Sequence, residues 1–256
     1  MSQELVLTRI EDGVLVLTIN RAEVRNCINP ETAELMEQIL NDAEKNPEVK
    51  VIVLTGAGDR SFCAGEDLSA YDENGQCNTL MEHGFAGVSN RIGPKPIIVA
   101  ANGAVVAGGF EIALNCDMVI AAEHARFGFT EVKVGFMALS GLSRLIKDIP
   151  RKPAIEMAIT GELINAQRAY ELGLVNRVVP ADQLMEVTME VAKGIANNAP
   201  VGVRLSRQLM HVSQQTSMEN AMWIADRCWD IIETTEDAVE GPKAFLEKRK
   251  PNWQGK

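Results

Sequence analysis

Apolar positions come in short blocks between polar or glycine-rich turns up to about residue 122, and mostly at longer helical spacing after residue 140. Leu5–Arg9 and Val14–Ile19 alternate or run apolar around Glu11-Asp12-Gly13, the pattern of a β-hairpin. In NPETAELMEQILNDAEKN (29–46) Asn29 can cap and Pro30 suits the first helical position, while Leu35, Met36, Ile39, Leu40 and Ala43 recur at helical spacing. Val49–Thr55 reads as a buried strand closed by Gly56-Ala57-Gly58. Residues 69–92 scatter Gly, Asn, Asp and Glu without a period, which predicts a mobile surface segment. Strand Ile97–Ala101, helix Gly108–Cys116 and strand Met118–Ala121 follow, so the order is ββ-α-β-loop-β-α-β, an α/β chain. After Ser140 the pattern is mostly helical, with a short strand at Leu174–Val179. The last helices are predicted at Val201–Gln214, Met218–Thr234 and Glu236–Arg249. Ala199-Pro200 marks a boundary, dividing the chain into residues 1–198 and a helical rear, 199–256.

Composition narrows the functional classes. A chain of 256 residues, 46% hydrophobic and 23% charged, can bury a full core without metal or disulfide staples. A formal net charge of −10 argues against a general nucleic-acid or membrane-surface binder, although an anionic ligand can still use a local basic patch or helix N-termini. Cys27, Cys63, Cys77, Cys116 and Cys228 are widely spaced with no C-x-x-C pair, which fits a reducing compartment. The start, MSQELVLTRI, has neither the basic end nor the apolar core of a signal peptide. The most apolar stretch, Ile97–Ala122, is interrupted by Asn102, Glu111, Asn115 and Asp117, unlike a membrane span. A soluble, cytoplasmic protein is the expectation.

Several motifs have plain structural readings. TGAGDRS (55–61) begins like a dinucleotide fingerprint but lacks the third glycine and the following helix, so a tight turn is the better reading. His83, His124 and His211 show no ligand spacing, and no metal site is expected. Ser140-Gly141-Leu142-Ser143 lacks the order of a nucleophile elbow. Trp223 and Trp229 share a helix with Ile224, Cys228, Ile231 and Ile232, which suits a core or a subunit interface.

Two glycine-bearing segments carry the chemistry. SFCAGEDL (61–68) and NGAVVAGGFEIAL (102–114) each follow a strand, and the second enters a helix. Converging backbone N–H groups from two such turns would make an oxyanion hole, while two tight turns with a carboxylate at its own helix start is the alternative. Glu111 lies in the second segment, and Glu131, in ARFGFTEVKVGF, occupies a similarly apolar setting. One carboxylate can shuttle a proton between carbons; two can divide base and acid duties on a water molecule.

Together these residues resemble the enoyl-CoA hydratase (crotonase) superfamily over nearly the whole chain. The resemblance rests on LTIN-R-x-x-x-x-N (17–26), F-C-A-G-x-D-L (62–68), N-G-x(5)-G-G-x-E (102–111), F-G-x-x-E (127–131), AITGELINAQRAYELGLVNRVV (158–179) and the ending F-L-E-K-R (245–249). The ending EDAVEGPKAFLEKR is also similar to carnitinyl-CoA dehydratase-type members. The implied fold is a ClpP-like spiral of β-β-α units with a C-terminal helical trimerisation region, forming trimers or pairs of trimers. The implied activity is hydration of a 2-enoyl-CoA, or the reverse dehydration, with an enoyl-CoA isomerase or other enolate chemistry as the alternative. A non-catalytic acyl-CoA-binding protein on the same scaffold is a further rival. By resemblance, the backbone N–H groups of Glu66 and Gly108 hold the thioester oxygen, and Glu111 and Glu131 are the catalytic carboxylates. Ala64, Asp67 and Leu68 would line the coenzyme A channel, Phe245 and Lys248 would reach coenzyme A across a subunit boundary, and Arg25 would meet its phosphates. Coenzyme A enters as part of the substrate, with no separate cofactor and no metal. The chain departs from the family pattern at GFMALSGLSRL (135–145), where Ala138 replaces a proline and the glycine pair is one residue short. Glu66 is a departure too, since small residues are common there, and so is Ala22 in place of a proline.

Overall fold

A computed structural model of the chain describes residues 4–71 and 77–256. It opens with the hairpin β1 (Val6–Glu11) and β2 (Val14–Ile19), paired antiparallel. Helix α1 (Pro30–Lys45) follows, its first turn capped by Asn29 Oδ1, which accepts the Thr32 N–H at 3.0 Å. The chain then winds in repeated pairs of strands: β3 (Val51–Gly56) with β4 (Ser61–Cys63), β7 (Ile97–Ala101) with β8 (Ala104–Val106), and β9 (Met118–Ala122) with β10 (Arg126–Gly128). Between the first two pairs lies a small hairpin, β5 (Leu80–Met81) and β6 (Gly84–Phe85). The first strand of each pair enters one sheet, ordered β1-β2-β3-β7-β9-β12, and the second enters another, ordered β11-β10-β8-β4. Strands β3, β7 and β9 run parallel, as do β4, β8 and β10. Each pair is therefore one turn of a spiral.

Helix α2 (Gly108–Asn115) follows β8, and α3 (Ser140–Asp148) and α4 (Arg151–Thr160) follow β10. Then come β11 (Ile164–Asn165), α5 (Ala166–Glu171), β12 (Arg177–Val179), α6 (Leu184–Ala196), α7 (Pro200–Ser213), α8 (Met218–Glu233) and α9 (Glu236–Leu246). The large sheet is buried on both faces, which explains its continuous apolar strands. Ile52 and Leu54 face the main core, whereas Val51, Val53, Ile98 and Ala100 face Leu184, Met189, Ala192 and Ala196 of α6. Among the described residues no helix is long and apolar enough to cross a membrane.

Three expectations change. The second sheet went unread because its strands are only two or three residues long, too short to show a period. The strand expected at Leu174–Val179 is confined to β12, residues 177–179. The segment 69–92 is no loose surface loop over its later part: Thr79, Phe85, Ala86, Val88, Ser89 and Arg91 are all buried, while residues 72–76 lie outside the described residues. Arg91 is the reason. Its guanidinium, fully enclosed, donates to Gly87 O (2.7 Å), Glu44 Oε1 (2.7 Å), Glu37 Oε1 (3.1 Å) and Asn41 Oδ1 (2.9 Å). Sequence pattern cannot reveal such a polar anchor, because it reads as surface. Removing one partner of an enclosed ion network strands the others without solvent. Arg91→Met should therefore destabilise the chain by about 3–5 kcal/mol in urea unfolding, and a loss under about 1 kcal/mol would place the arginine outside the core.

Candidate active site

The parallel register of β4, β8 and β10 decides which segments meet. Ser61 pairs with Ala104, and Ala104 with Arg126, so the chain leaves all three strands at the same end of the small sheet. The turns that follow carry Glu66, Gly108 with Glu111, and Glu131. Gly65 has φ +95°, and a Cβ placed on it would stand 2.8 Å from Ala107 Cβ and 3.3 Å from the Gly108 nitrogen. Only glycine allows that approach. Ala107 enters α2 through φ 53°, ψ −127°, a strained geometry for a side-chain-bearing residue. Its own N–H is fixed to Gly128 O at 3.1 Å.

Two backbone donors are left over at this junction. Ile28 bridges the turn by donating to Gly65 O (2.8 Å) and accepting from the Asp67 N–H (2.8 Å), which bypasses the Glu66 N–H between them. Gly108 sits in the first turn of α2, where N–H groups have no helical acceptor. Neither N–H has a hydrogen-bond partner among the described residues. The Phe85 ring packs on the Gly108 Cα, so a Cβ there would lie 2.5 Å from the ring. The segment anchored by Arg91 thus forms one wall of the site. The Glu66 carboxylate accepts hydrogen bonds from the Tyr71 and Thr79 hydroxyls. Burial and this carboxylate push the Tyr71 hydroxyl up to about 12, so it keeps its proton as a donor.

The two candidate carboxylates come from adjacent spiral turns. Phe110 and Phe129, one and two residues before them, pack with tilted rings whose centroids are 4.8 Å apart. Glu111 is 5% exposed and its Oε1 accepts the Gly141 N–H at 2.9 Å. Burial raises its pKa, opposed by backbone donors at Gly141, Leu139 and Ser140 and by the Arg144 charge. Glu131 opens a short 3₁₀ turn, and its Oε2 is enclosed without a hydrogen-bond partner. Burial raises its pKa, its own backbone N–H opposes the rise, and the Glu111 charge adds to it. The two carboxylates are thus close enough for the charge on Glu111 to disfavour a second charge on Glu131. The altered segment 135–145 still supplies one glycine where it is needed. A Cβ on Gly141 would stand 2.4 Å from the Phe129 ring and 2.9 Å from Glu111 Cγ.

The remaining sequence candidates divide. Ala64 is half-buried and Leu68 exposed beside the Glu66 turn, and the exposed Arg25 lies against it, its C=O accepting the Ala64 N–H at 3.2 Å. Asp67 is 8% exposed, its carboxylate held by Arg21 at 2.8 Å and by Ser69. Its side chain is committed to bracing this turn, a constraint that spacing alone did not reveal. Phe245, on α9, is 84% exposed in the single chain; Lys248 follows it with φ 55°. The TGAGDRS turn is held by Asn102, which donates to Gly56 O and Gly58 O (both 2.8 Å), and by Asn26, which donates to Ser61 O (2.7 Å). Both asparagines stand in the quoted motifs, but pattern did not disclose that they pin this turn. The three histidines are all hydrogen-bonded: His83 to Glu37 and Arg91, His124 to Asp59 O, His211 to Asp117. Glu37, Glu82 and His83 bring three ligand-type atoms within 4.8 Å of one another, yet the Arg91 guanidinium already contacts Glu37 and His83.

Residues 9–256 match the family described as Enoyl-CoA hydratase/isomerase. The chain is 39% identical to the mevalonyl-coenzyme A hydratase of Aspergillus fumigatus, over 94% of this chain and 91% of the relative. It is 37% identical to the carnitinyl-CoA dehydratase of Proteus mirabilis over the full length of both. A crystal structure of an enoyl-CoA hydratase from Mycobacterium marinum superposes with a TM-score of 0.94 at 34% identity, covering 99% of this chain and 100% of that one.

The raised carboxylates make a prediction about stability. Each has a folded pKa above its ordinary value of 4.5, so the folded state holds the proton more tightly than the unfolded state. Their contribution is fully present below 4.5 and is lost as pH climbs through the raised folded values. Glu131→Gln, which removes the group with the unpartnered oxygen, should raise the melting temperature at pH 8 by on the order of 2 °C. That gain should vanish near pH 4. A melting temperature unchanged at both pH values would mean that Glu131 is solvated in the folded protein.

Proposed function

The chain belongs to the enoyl-CoA hydratase/isomerase family, and from that premise we propose that it adds water reversibly across the α,β double bond of a 2-enoyl-CoA. The observation that carries this reading is the electrostatic pairing of Glu111 with Glu131 beside two unpartnered backbone donors.

The thioester oxygen is held by the N–H groups of Glu66 and Gly108. Glu111, whose charge is supported by the Gly141 N–H and the start of α3, takes a proton from water as the water oxygen bonds to Cβ. The electron pair of the double bond moves onto the thioester as an enolate, stabilised by the two N–H groups. Glu131, raised by burial and by the neighbouring charge, delivers its proton to Cα as the enolate collapses. Water has then been added with one proton taken and one given, and the proton on Glu111 returns the pair to its starting charge. The scheme balances with substrate, water and the two carboxylates. The Glu66 carboxylate is held by the Tyr71 and Thr79 hydroxyls, which solvate its charge while its backbone N–H serves the thioester.

The coenzyme A moiety fits the open side of the Glu66 turn, near Ala64, Leu68 and Arg25. Helices α8 and α9 expose Trp223 (64%), Trp229 (62%), Phe245 (84%) and Leu246 (80%), an apolar surface that supports self-association into trimers or pairs of trimers. In that assembly residues 199–256 form the contact region, and Phe245 and Lys248 reach a neighbour's coenzyme A.

The test is turnover of crotonyl-CoA, followed by loss of the enoyl-thioester absorbance. Glu111→Gln and Glu131→Gln should each lower kcat by about 10²–10⁴-fold. The wild-type kcat/KM should fall on the acid side through a pKa above 4.5, as the base becomes protonated. Activity on a 3-enoyl-CoA that survives loss of one glutamate would identify an isomerase. Tight coenzyme A binding without turnover of any thioester would identify a binding protein.

A further inference from the structure

The Glu66 side chain takes no part in the proton transfers above, yet three parts of the site join at it. The backbone of its turn is held by Ile28. A trans peptide points its C=O and N–H in opposite directions, so the Ile28 N–H bond to Gly65 O (2.8 Å) turns the Glu66 N–H away from residues 25–28. Gly65, at φ +95°, is the soft joint of this turn. A donor beside such a joint gains precision from every further tie.

The carboxylate supplies two. Glu66 Oε1 accepts from the Thr79 hydroxyl and Oε2 from the Tyr71 hydroxyl. Thr79 is fully buried, and its C=O accepts the Ala86 N–H at 3.0 Å, at the base of the β5–β6 hairpin. That hairpin carries Phe85, whose ring packs against Gly108. One carboxylate oxygen therefore ties the first backbone donor to the wall behind the second. Tyr71 leads to another segment. Its ring meets that of Phe136 with centroids 6.2 Å apart and planes tilted by 59°, within the range of an attractive aromatic pair. The Phe136 N–H donates to Glu131 O at 3.0 Å, closing the turn that Glu131 opens. The other oxygen therefore ties the same donor to the turn bearing Glu131.

We propose that Glu66 is a positioning residue: through Tyr71 and Thr79 its carboxylate sets the Glu66 N–H, the Gly108 N–H and Glu131 in one fixed arrangement around the thioester. The inference rests on the hydratase reading of this site and adds a residue to it. Glu66 accepts no proton in this role and its side chain forms no bond to the substrate. Hydrogen bonds to an ionised carboxylate are stronger than neutral ones, so two of them make a stiff joint. Stiffness matters because a displacement of about 1 Å can cost about 10²-fold in rate. The rival role is purely structural. In that case loosening the cluster lowers the melting temperature and leaves the bound thioester unaltered.

Two readouts on the full chain separate these roles. Infrared difference spectra of butyryl-CoA, isotopically labelled at the thioester carbonyl, report hydrogen bonding to that oxygen without turnover. Hydration of crotonyl-CoA gives kcat and KM. In the wild type the bound carbonyl band should lie at lower frequency than in water. Glu66→Ala should move the band back towards its solution position and lower kcat about tenfold or more, with KM changed less than about threefold. Tyr71→Phe and Thr79→Val should each lose part of the shift. Glu66→Gln, which still reaches both hydroxyls, should restore most of it. Tyr71→Phe added to Glu66→Ala should cost nothing further, because the hydroxyl acts through the carboxylate. If Glu66→Ala does not fold, Tyr71→Phe, which keeps the ring against Phe136, carries the same comparison. A wild-type band and kcat retained in Glu66→Ala overturn the inference, whatever the melting temperature does. Additive losses in the double variant overturn it too. A band shift lost in Glu66→Ala, with no hydration of crotonyl-CoA even by the wild type, would sustain the positioning role and sink the hydratase reading instead.

Discussion

The site depends on one constraint, the parallel register of three very short strands. β4, β8 and β10 are three residues each, and their pairing places the turns after them side by side. A slip of one residue would carry the Gly65–Glu66 turn away from Gly108 and turn side chains to the other face. The register is held from outside as much as from within. Asn26 and Asn102 pin the turn between β3 and β4, and Ile28 bridges the turn after β4. The Ala107 N–H bond to Gly128 O ties the start of α2 to the strand that leads to Glu131. Donors and carboxylates from four different segments thereby become one surface.

Electrostatics then assigns different characters to chemically identical groups. Three glutamates lie at this junction. Glu66 accepts from two hydroxyls, Glu111 is buried against backbone N–H groups at the start of α3, and Glu131 keeps one oxygen without a partner among the described residues. Backbone donors favour the charged form, while burial and a like charge disfavour it. Those opposing terms give each of the three carboxylates a different environment on a single scaffold. The same logic gives the site a cost in stability, because enclosed carboxylates and the strained Ala107 are tolerated rather than relaxed.

Glycine works here by letting segments touch rather than by loosening them. Gly65 admits Ala107 and Gly108, Gly108 admits the Phe85 ring, and Gly141 admits Phe129 and Glu111. The altered segment 135–145 therefore still supports Glu111 through a single glycine. Arg91 completes the arrangement from a distance, since the segment it anchors carries Phe85 against Gly108.

The sequence by itself determined the long apolar strands, the capped α1, the helical rear, and the glycine-flanked segments with their two glutamates. These follow from local rules: strands buried on both faces must be apolar throughout, and helices reveal their period over many residues. The family was legible because its motifs are contiguous, and the match over residues 9–256 agrees with them. Tertiary structure alone decided which N–H groups stay unpaired, that Asp67 is spent on Arg21, that Glu66 accepts from two hydroxyls, and that Asn115, Ser140 and Arg144 line one cleft. It also decided that Thr79–Arg91 is packed rather than loose, because a buried arginine held by two glutamates looks in sequence like any charged surface. The reason is physical. Burial, pKa and hydrogen-bond satisfaction depend on partners brought together by the fold, such as Arg21 with Asp67, Gly141 with Glu111 and Arg91 with Glu37 and Glu44, and no local pattern encodes those meetings.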